Sequence, residues 1–354
     1  MKKLVALALV AVMLATNTAF SANPVPVIVV GHTGGVVTWD DVEKALEAYD
    51  DGLWRDDFPF TATFISGVKA IGDAAFEDCA LLEGVTLPNG VTSIGKEAFS
   101  NCASLKSITI PGSVTSLGEG AFEGCGLVSV TIPGSVVSIG DGAFADCELK
   151  SVTILSGVKT IGEGAFSGCS SLKSITIPGS VASIREQAFM WCYALESVTI
   201  LNGVKRIESG AFEFCTALKG ITIPKSVTFI ASDAFDDSKF LVIYCYFNSV
   251  AHKYAKEDYI SFKLLDSIPK FAVAVKSANK KHGKVSKGKR IAYGKKIRVK
   301  AAAKKGYKFS GWYVGKRKVS GKSSYSYRVT KKVTLTARFK KKKKKPKSSR
   351  AVFM

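Results

Sequence analysis

Val91-Thr92-Ser93-Ile94-Gly95-Lys96-Glu97-Ala98-Phe99-Ser100-Asn101-Cys102-Ala103-Ser104-Leu105-Lys106-Ser107-Ile108-Thr109-Ile110 recurs, residue type for residue type, along much of the 354-residue chain. Seven rows begin at Gly67, Gly90, Ser113, Ser135, Gly157, Ser180 and Gly203, so the period is 22 or 23 residues. Each row keeps V-x-x-I/L-x-x-x-A-F-x-x-C, then Leu, then I/V-T-I/L. A degenerate eighth row from Ser226 keeps Val227, Ile230, Ala234 and Phe235 but has Ser238 in the Cys position. A fixed period of this length is the signature of a stacked array.

One row cannot hold itself together. Its seven large apolar side chains are worth ~1.5–3 kcal/mol each when buried, whereas ordering each backbone residue costs ~1–2 kcal/mol. Stacked neighbours bury both faces of a coil and extend its hydrogen-bond ladder, so the expected product is a solenoid. Ser107 to Ile110 alternate outward and inward with period 2 and read as a strand. Pro88, Pro111, Pro133, Pro178 and Pro224 end many of these strands.

The rows resemble the BspA-like leucine-rich repeat of bacterial and protist surface proteins. The resemblance implies a mainly β fold: a curved, right-handed leucine-rich-repeat solenoid with a parallel sheet, followed here by a small β-rich basic domain. It also implies extracellular exposure, adhesion or protein binding, and no catalytic residues.

Composition divides the chain in two. All 29 acidic residues precede residue 267, whereas the last 88 residues hold 31 of the 50 Lys and Arg. A 47% hydrophobic content excludes a disordered chain. At the front, Lys2 and Lys3 precede an apolar run from Leu4 to Ala15 and the small-residue stretch Ala19-Phe20-Ser21, which reads as a signal peptide over 1–21 and export of the mature chain. The run is too short to span a bilayer, and no later stretch is long enough.

Residues 22–66 read as an N-terminal cap: a strand over Val25 to Val30, a helix opened by Thr38 and Asp41 and running to about Tyr49, and a first strand from Phe60 to Ile65. Gly31-His32-Thr33-Gly34-Gly35 lacks the ending of a phosphate loop and reads as a turn. The solenoid with its C-terminal cap spans 67–265, closed by a short helix and last strand within Tyr244 to Leu265.

Seven of the eight cysteines, at 79, 102, 125, 147, 169, 192 and 215, share one register, and Cys245 stands outside it. A position repeated in every coil points to the core, where Cys packs as a small hydrophobe, so reduced thiols are expected, although the spacing does not exclude disulfides. Without a C-x-x-C pair there is no metal reading. The outward strand positions, such as Ser129 and Thr131, form a flat, uncharged face that needs no explanation beyond the fitness of Thr on exposed strands.

Specificity must lie where rows differ. The two positions after the repeated Phe are small or polar in rows one to five, then become Met190-Trp191 and Glu213-Phe214, with Tyr193 and Phe229 as further aromatics. Met190, Trp191, Tyr193, Phe214 and Phe229 are therefore the candidate ligand-binding set, with Trp191 and Phe214 on adjacent coils. The competing expectation is that a terminal segment or the next domain covers them.

Residues 270–340 change to strands rich in Val, Tyr and Lys around Gly306-Tyr307-Lys308-Phe309-Ser310-Gly311-Trp312-Tyr313, closed by Val329 to Phe339. This resembles the internalin B-type bacterial repeat domain, with the acidic and polar surface of that family replaced here by Lys and Arg. Trp312, Tyr307 and Phe309 are expected in its core. Residues 341–354 read as a Lys-rich disordered tail.

Such a positive field should bind anionic polymers: envelope polymer, glycosaminoglycan or extracellular DNA. Lys316, Arg317, Lys318 and Lys340, Lys341, Lys342, Lys343, Lys344 and Lys345 are the candidate contacts. The opposite signs of the two regions also allow docking of one on the other.

Catalysis is not expected. His32, His252 and His282 lie in different segments, and there is no H-E-x-x-H or G-x-S-x-G motif. Asp56-Asp57 reads as a solvated loop pair. No cofactor is implied. The reading that emerges is a secreted or cell-surface binding or adhesion protein, its solenoid recognising protein or glycan and its basic module holding it to anionic surfaces. The alternative is a polyanion-binding protein with the solenoid as spacer.

Overall fold

The computed structural model describes residues 27–31, 35–47 and 58–342. Residues 1–21, read above as a signal peptide, together with His32, Asp56-Asp57 and Lys343 to Lys345, lie outside the described residues. Two units divide after Leu265.

The first unit is a parallel β-solenoid of about nine turns. Each row contributes two strands except the second, where Ser107 to Ile110, expected as a strand, makes only isolated parallel bridges, Ile108 with Val85 and Ser107 with Ser129. The I/V-T-I/L segment forms the longer one, for example Ser129–Ile132 paired in register with Ser151–Ile154, and Ser174–Ile177 with Ser197–Ile200. In these strands Ser and Thr face water while Val and Ile face the core. The V-x-x-I/L segment forms a second strand of only two residues, such as Ser93–Ile94, and these short strands join into a continuous nine-stranded parallel sheet from Val36–Val37 to Phe229–Ile230. Periodicity cannot reveal a two-residue strand, so this second sheet was not legible in the sequence.

Between the sheets the repeated Phe side chains form one stack. Phe76, Phe99, Phe122, Phe144, Phe166, Phe189, Phe212 and Phe235 lie nearly parallel, with ring centroids 5.1–5.5 Å apart. Phe64 meets one end edge-on and Tyr254 tilts over the other. The centroid separation exceeds the ~4.8 Å spacing of neighbouring strands, so the rings are offset, as their quadrupoles prefer.

All eight cysteines are buried thiols. Six thiols in the repeated register donate to the carbonyl oxygen of the Phe one coil back, at 3.0–3.3 Å. In the degenerate row Ser238 makes the same bond, Oγ to the Phe212 oxygen at 3.3 Å. The substitution therefore keeps the ladder's hydrogen bond and changes only the donor atom.

The caps follow their local chemistry. Asp41 accepts from both the Thr38 N–H and hydroxyl at 2.8 Å, opening helix Trp39–Glu47. At the far end Ser249 caps helix Val250–Glu257, and Ser261–Leu264 adds the last parallel strand. His252 belongs to this cap. It is buried beside Phe262 and Phe247, and its Nδ1 accepts from the Asn248 N–H at 2.9 Å.

The second unit packs a five-stranded sheet against a three-stranded one. Trp312, Val273, Ile297, Val299, Val329 and Leu335 are buried between them. Phe309 packs edge-on against Trp312 and Phe339, while Tyr307 is half-buried with His282 stacked on it at 4.1 Å. Strand Val333–Lys341 takes in Lys341, so the ordered domain runs past residue 340, where the tail was expected to begin.

Candidate binding surfaces

Each of the first seven coils has two residues at positive φ, one two positions before its stacked Phe, held by Ala74, Glu97 and Gln187 as well as by Gly, and one two positions after it, where the chain turns. The second such position is occupied by Asp78, Asn101, Gly124, Asp146, Gly168, Trp191, Phe214 and Asp237, with φ between 54° and 70°. Gly, Asn and Asp are the residues that enter this region readily; a bulky side chain there is an outlier that costs ~1–3 kcal/mol. Six coils obey the rule, and Trp191 and Phe214 break it.

Hydrogen bonds to the next coil hold them there. The Trp191 N–H donates to the Glu213 oxygen at 3.1 Å, and the Phe214 N–H to the Asp236 oxygen at 3.0 Å. The next residue but one, Tyr193, closes the turn through its N–H to the Trp191 oxygen at 2.8 Å. Trp191 is 43% exposed and Tyr193 49%, while Phe214 is half-buried. The edge beside them is acidic: burial raises the Glu213 carboxyl above the ordinary carboxylate range, and Asp236, Asp233 and Asp237 add to the shift.

Two of the five aromatic-set residues lie elsewhere. Met190 is buried, as are Ser100 and Ala145 at the same repeat position. Glu123 and Asp236 at that position are exposed, so the position itself does not dictate burial, but the Met190 side chain packs inward and leaves the exposed set. Phe229 is in the short-strand sheet, in the register of Ser183 and Arg206, with the Arg206 guanidinium 4.1 Å above its ring. Arg206 is itself paired with Glu208 at 2.6 Å. Phe229 is thus partnered on a different segment of the coil, and Trp191, Tyr193 and Phe214 remain together on the turn edge.

In the second unit, Lys316, Arg317 and Lys318 lie at and after a turn on the outer strand Arg317–Ser320. Lys340 stands directly opposite Lys308, and Lys341 opposite Tyr307. Lys342 follows the strand end, its N–H donating to the Gly306 oxygen at 2.8 Å. Among the described residues no group of three His, Cys, Asp or Glu side chains is placed to hold a metal ion.

The repeat geometry agrees with a family match. Residues 61–127 and 116–242 match the BspA type leucine rich repeat region, in six copies. The chain belongs to the BspA-type leucine-rich-repeat family. Residues 273–343 match the divergent InlB B-repeat domain.

Among solved structures, the chain is similar to a leucine-rich repeat protein from Bacteroides ovatus, with 32% identity over 58% of this chain and 60% of that one, at a TM-score of 0.47. It is also similar to a leucine-rich cell surface protein from Faecalibacterium prausnitzii (27% identity, 58% and 76% coverage, TM-score 0.29). A third is the leucine-rich repeat protein of T. pallidum (25% identity, 59% and 87% coverage, TM-score 0.40). The chain therefore matches somewhat under two thirds of the Bacteroides protein's length. No curated protein matches it by sequence. Proteins of this family are cell-surface or secreted bacterial proteins, typically without enzymatic activity, whose general role is protein binding or adhesion. No helix among the described residues is long and apolar enough to cross a membrane.

Proposed function

We propose that this chain is an exported adhesion or binding protein whose solenoid recognises a protein or glycan through Trp191, Tyr193 and Phe214, while its basic module holds it to anionic surfaces. One observation carries the solenoid half of this reading: two large aromatics occupy left-handed positions that six other coils give to Asp, Asn or Gly. Such strain collects where function demands a side chain that the fold alone would not choose. Exposed Trp and Tyr are also the residue types that dominate binding energy at interfaces. The charge of the C-terminal unit, with no acidic residue after position 266, supports the tethering half.

The test is a protein and glycan array probed with the full chain and with a Trp191→Asn/Phe214→Asn variant. Binding by the parent that is lost in the variant, with no fall in Tm, is the expected result. An identical binding pattern from the two proteins overturns the aromatic-edge assignment.

A further inference from the structure

We infer that the outer face of the three-stranded sheet in the basic module is its polyanion site, and that it takes a linear polysaccharide bearing sulfate or phosphate esters. The inference rests on the tethering reading above and gives that reading a location away from Lys316 to Lys318 and the Lys-rich end.

The sheet comprises Gly283–Val285, Lys296–Ala303 and Ser324–Arg328. Ile297 and Val299 turn inward to the core, with Tyr325 and Tyr327 packed against it. Period-2 alternation therefore sends Lys296, Arg298 and Lys300 outward from one strand and Ser324, Ser326 and Arg328 from the next, and all six are exposed. The register sets Lys296 opposite Arg328, Arg298 opposite Ser326 and Lys300 opposite Ser324, while Lys284 stands exposed opposite Ala302.

Five cations thus share one flat face with no acid on it. Like charges directly opposite each other on a sheet are destabilising, so the Lys296–Arg328 pair, whose Arg328 guanidinium also donates to the Gly294 oxygen at 3.0 Å, gains from an external anion. A groove of about 350 Å³, mainly apolar in its lining, opens here among Lys284, Val285, Lys300, Ala301, Ala302 and Ser324.

The chemistry of the face selects among polyanions. Single-stranded nucleic acid is held by exposed aromatics on which bases stack, and the tyrosines of this sheet face the other way. Duplex readout uses an element that enters a groove, and the cations here stand on the face of a three-stranded sheet. What it offers is guanidinium and ammonium groups for ester anions and serine hydroxyls for the sugar hydroxyls between them.

The experiment compares the full chain with Lys296→Gln/Arg298→Gln/Arg328→Gln and with Lys316→Gln/Arg317→Gln/Lys318→Gln. Binding to heparin, to glycerol-phosphate teichoic acid and to single-stranded and duplex DNA is measured across a salt series. On the preferred glycan, the sheet-face variant is expected to bind at least tenfold more weakly. Its slope of log K against log salt should be shallower by about 2–3, at ~0.7–0.9 per lost contact, with Tm unchanged or higher. Heparin and teichoic acid distinguish sulfate from phosphate recognition.

If the sheet-face variant matches the parent while the Lys316 to Lys318 variant loses affinity, the location is wrong and the tethering reading survives. If the parent binds DNA more tightly than either glycan, the ligand class is wrong. If the parent binds none of the probes at moderate salt, both the tethering reading and this inference fail.

Discussion

The Cys125 thiol donates to the Phe99 carbonyl oxygen across 3.0 Å, from one coil to the one before it. That bond repeats along the solenoid, and every participating sulfur is buried. Burial pushes the Cys169 and Cys215 thiols up to about 12 from an ordinary 9.0. The folded state therefore favours the proton, and this stabilisation is complete below pH 9 and is lost as pH rises from 9 toward 12. Tm should hold between pH 7 and 8 and fall steadily above 9, and a Cys169→Ala/Cys215→Ala variant, itself less stable at pH 7, should fall less steeply. Iodoacetamide should label the native thiols only at the rate of unfolding, so rapid labelling of the folded protein at pH 8 contradicts this account.

Phe144 sits in mid-stack between Phe122 at 5.2 Å and Phe166 at 5.4 Å, fully buried. Truncation to Ala leaves a cavity that two rigid sheets cannot close, and should cost ~3–5 kcal/mol. Urea titration of Phe144→Ala should show a midpoint lowered accordingly, with Phe144→Leu losing clearly less.

Replacing Trp191 or Phe214 by Asn returns the left-handed position to a residue that accepts it, as at Asn101. Each substitution should stabilise the fold by ~0.5–1 kcal/mol while removing ligand binding, the trade expected where strain serves function. Thermal unfolding of the single variants decides it: a fall in Tm means that the aromatics support the fold itself and that the strain argument is wrong.

Gly118 lies where adjacent coils approach closely. A Cβ there would come within 3.0 Å of the Gly95 carbonyl group and the Lys96 nitrogen, which are backbone atoms unable to move aside. Gly118→Ala should cost ~1–3 kcal/mol. Gly112, whose added Cβ would meet nothing within 4 Å, provides the control and should tolerate Ala with little change in Tm.

Much of this architecture was readable one row at a time. The inward positions of Val130 and Ile132, the burial of the repeated Phe and Cys, and the cap signal at Thr38 each follow from local pattern or composition. The candidate site was readable only in part. Trp191 stood out as a departure from its register, but nothing in one row says that this register needs a positive φ, because Trp and Phe do not announce it as Gly does. Met190 was misplaced because its equivalents range from the buried Ser100 and Ala145 to the exposed Glu123, so the repeat position does not say which way its side chain packs. The cations at 296, 298, 300 and 328 escaped notice because a charge run such as Lys340 to Lys345 is visible in one dimension, whereas a charged face is assembled across strands.

The sequence by itself determined the coil, the residues inside it and the separation of an acidic from a basic unit, because periodicity and charge are properties of residue order. Tertiary structure alone decided which departures from the repeat share a surface. Each turn takes its conformation from hydrogen bonds to the neighbouring coil, as the Trp191 N–H does from Glu213, and each outward side chain takes its neighbours from a strand paired in register with it, as Lys296 does from Arg328.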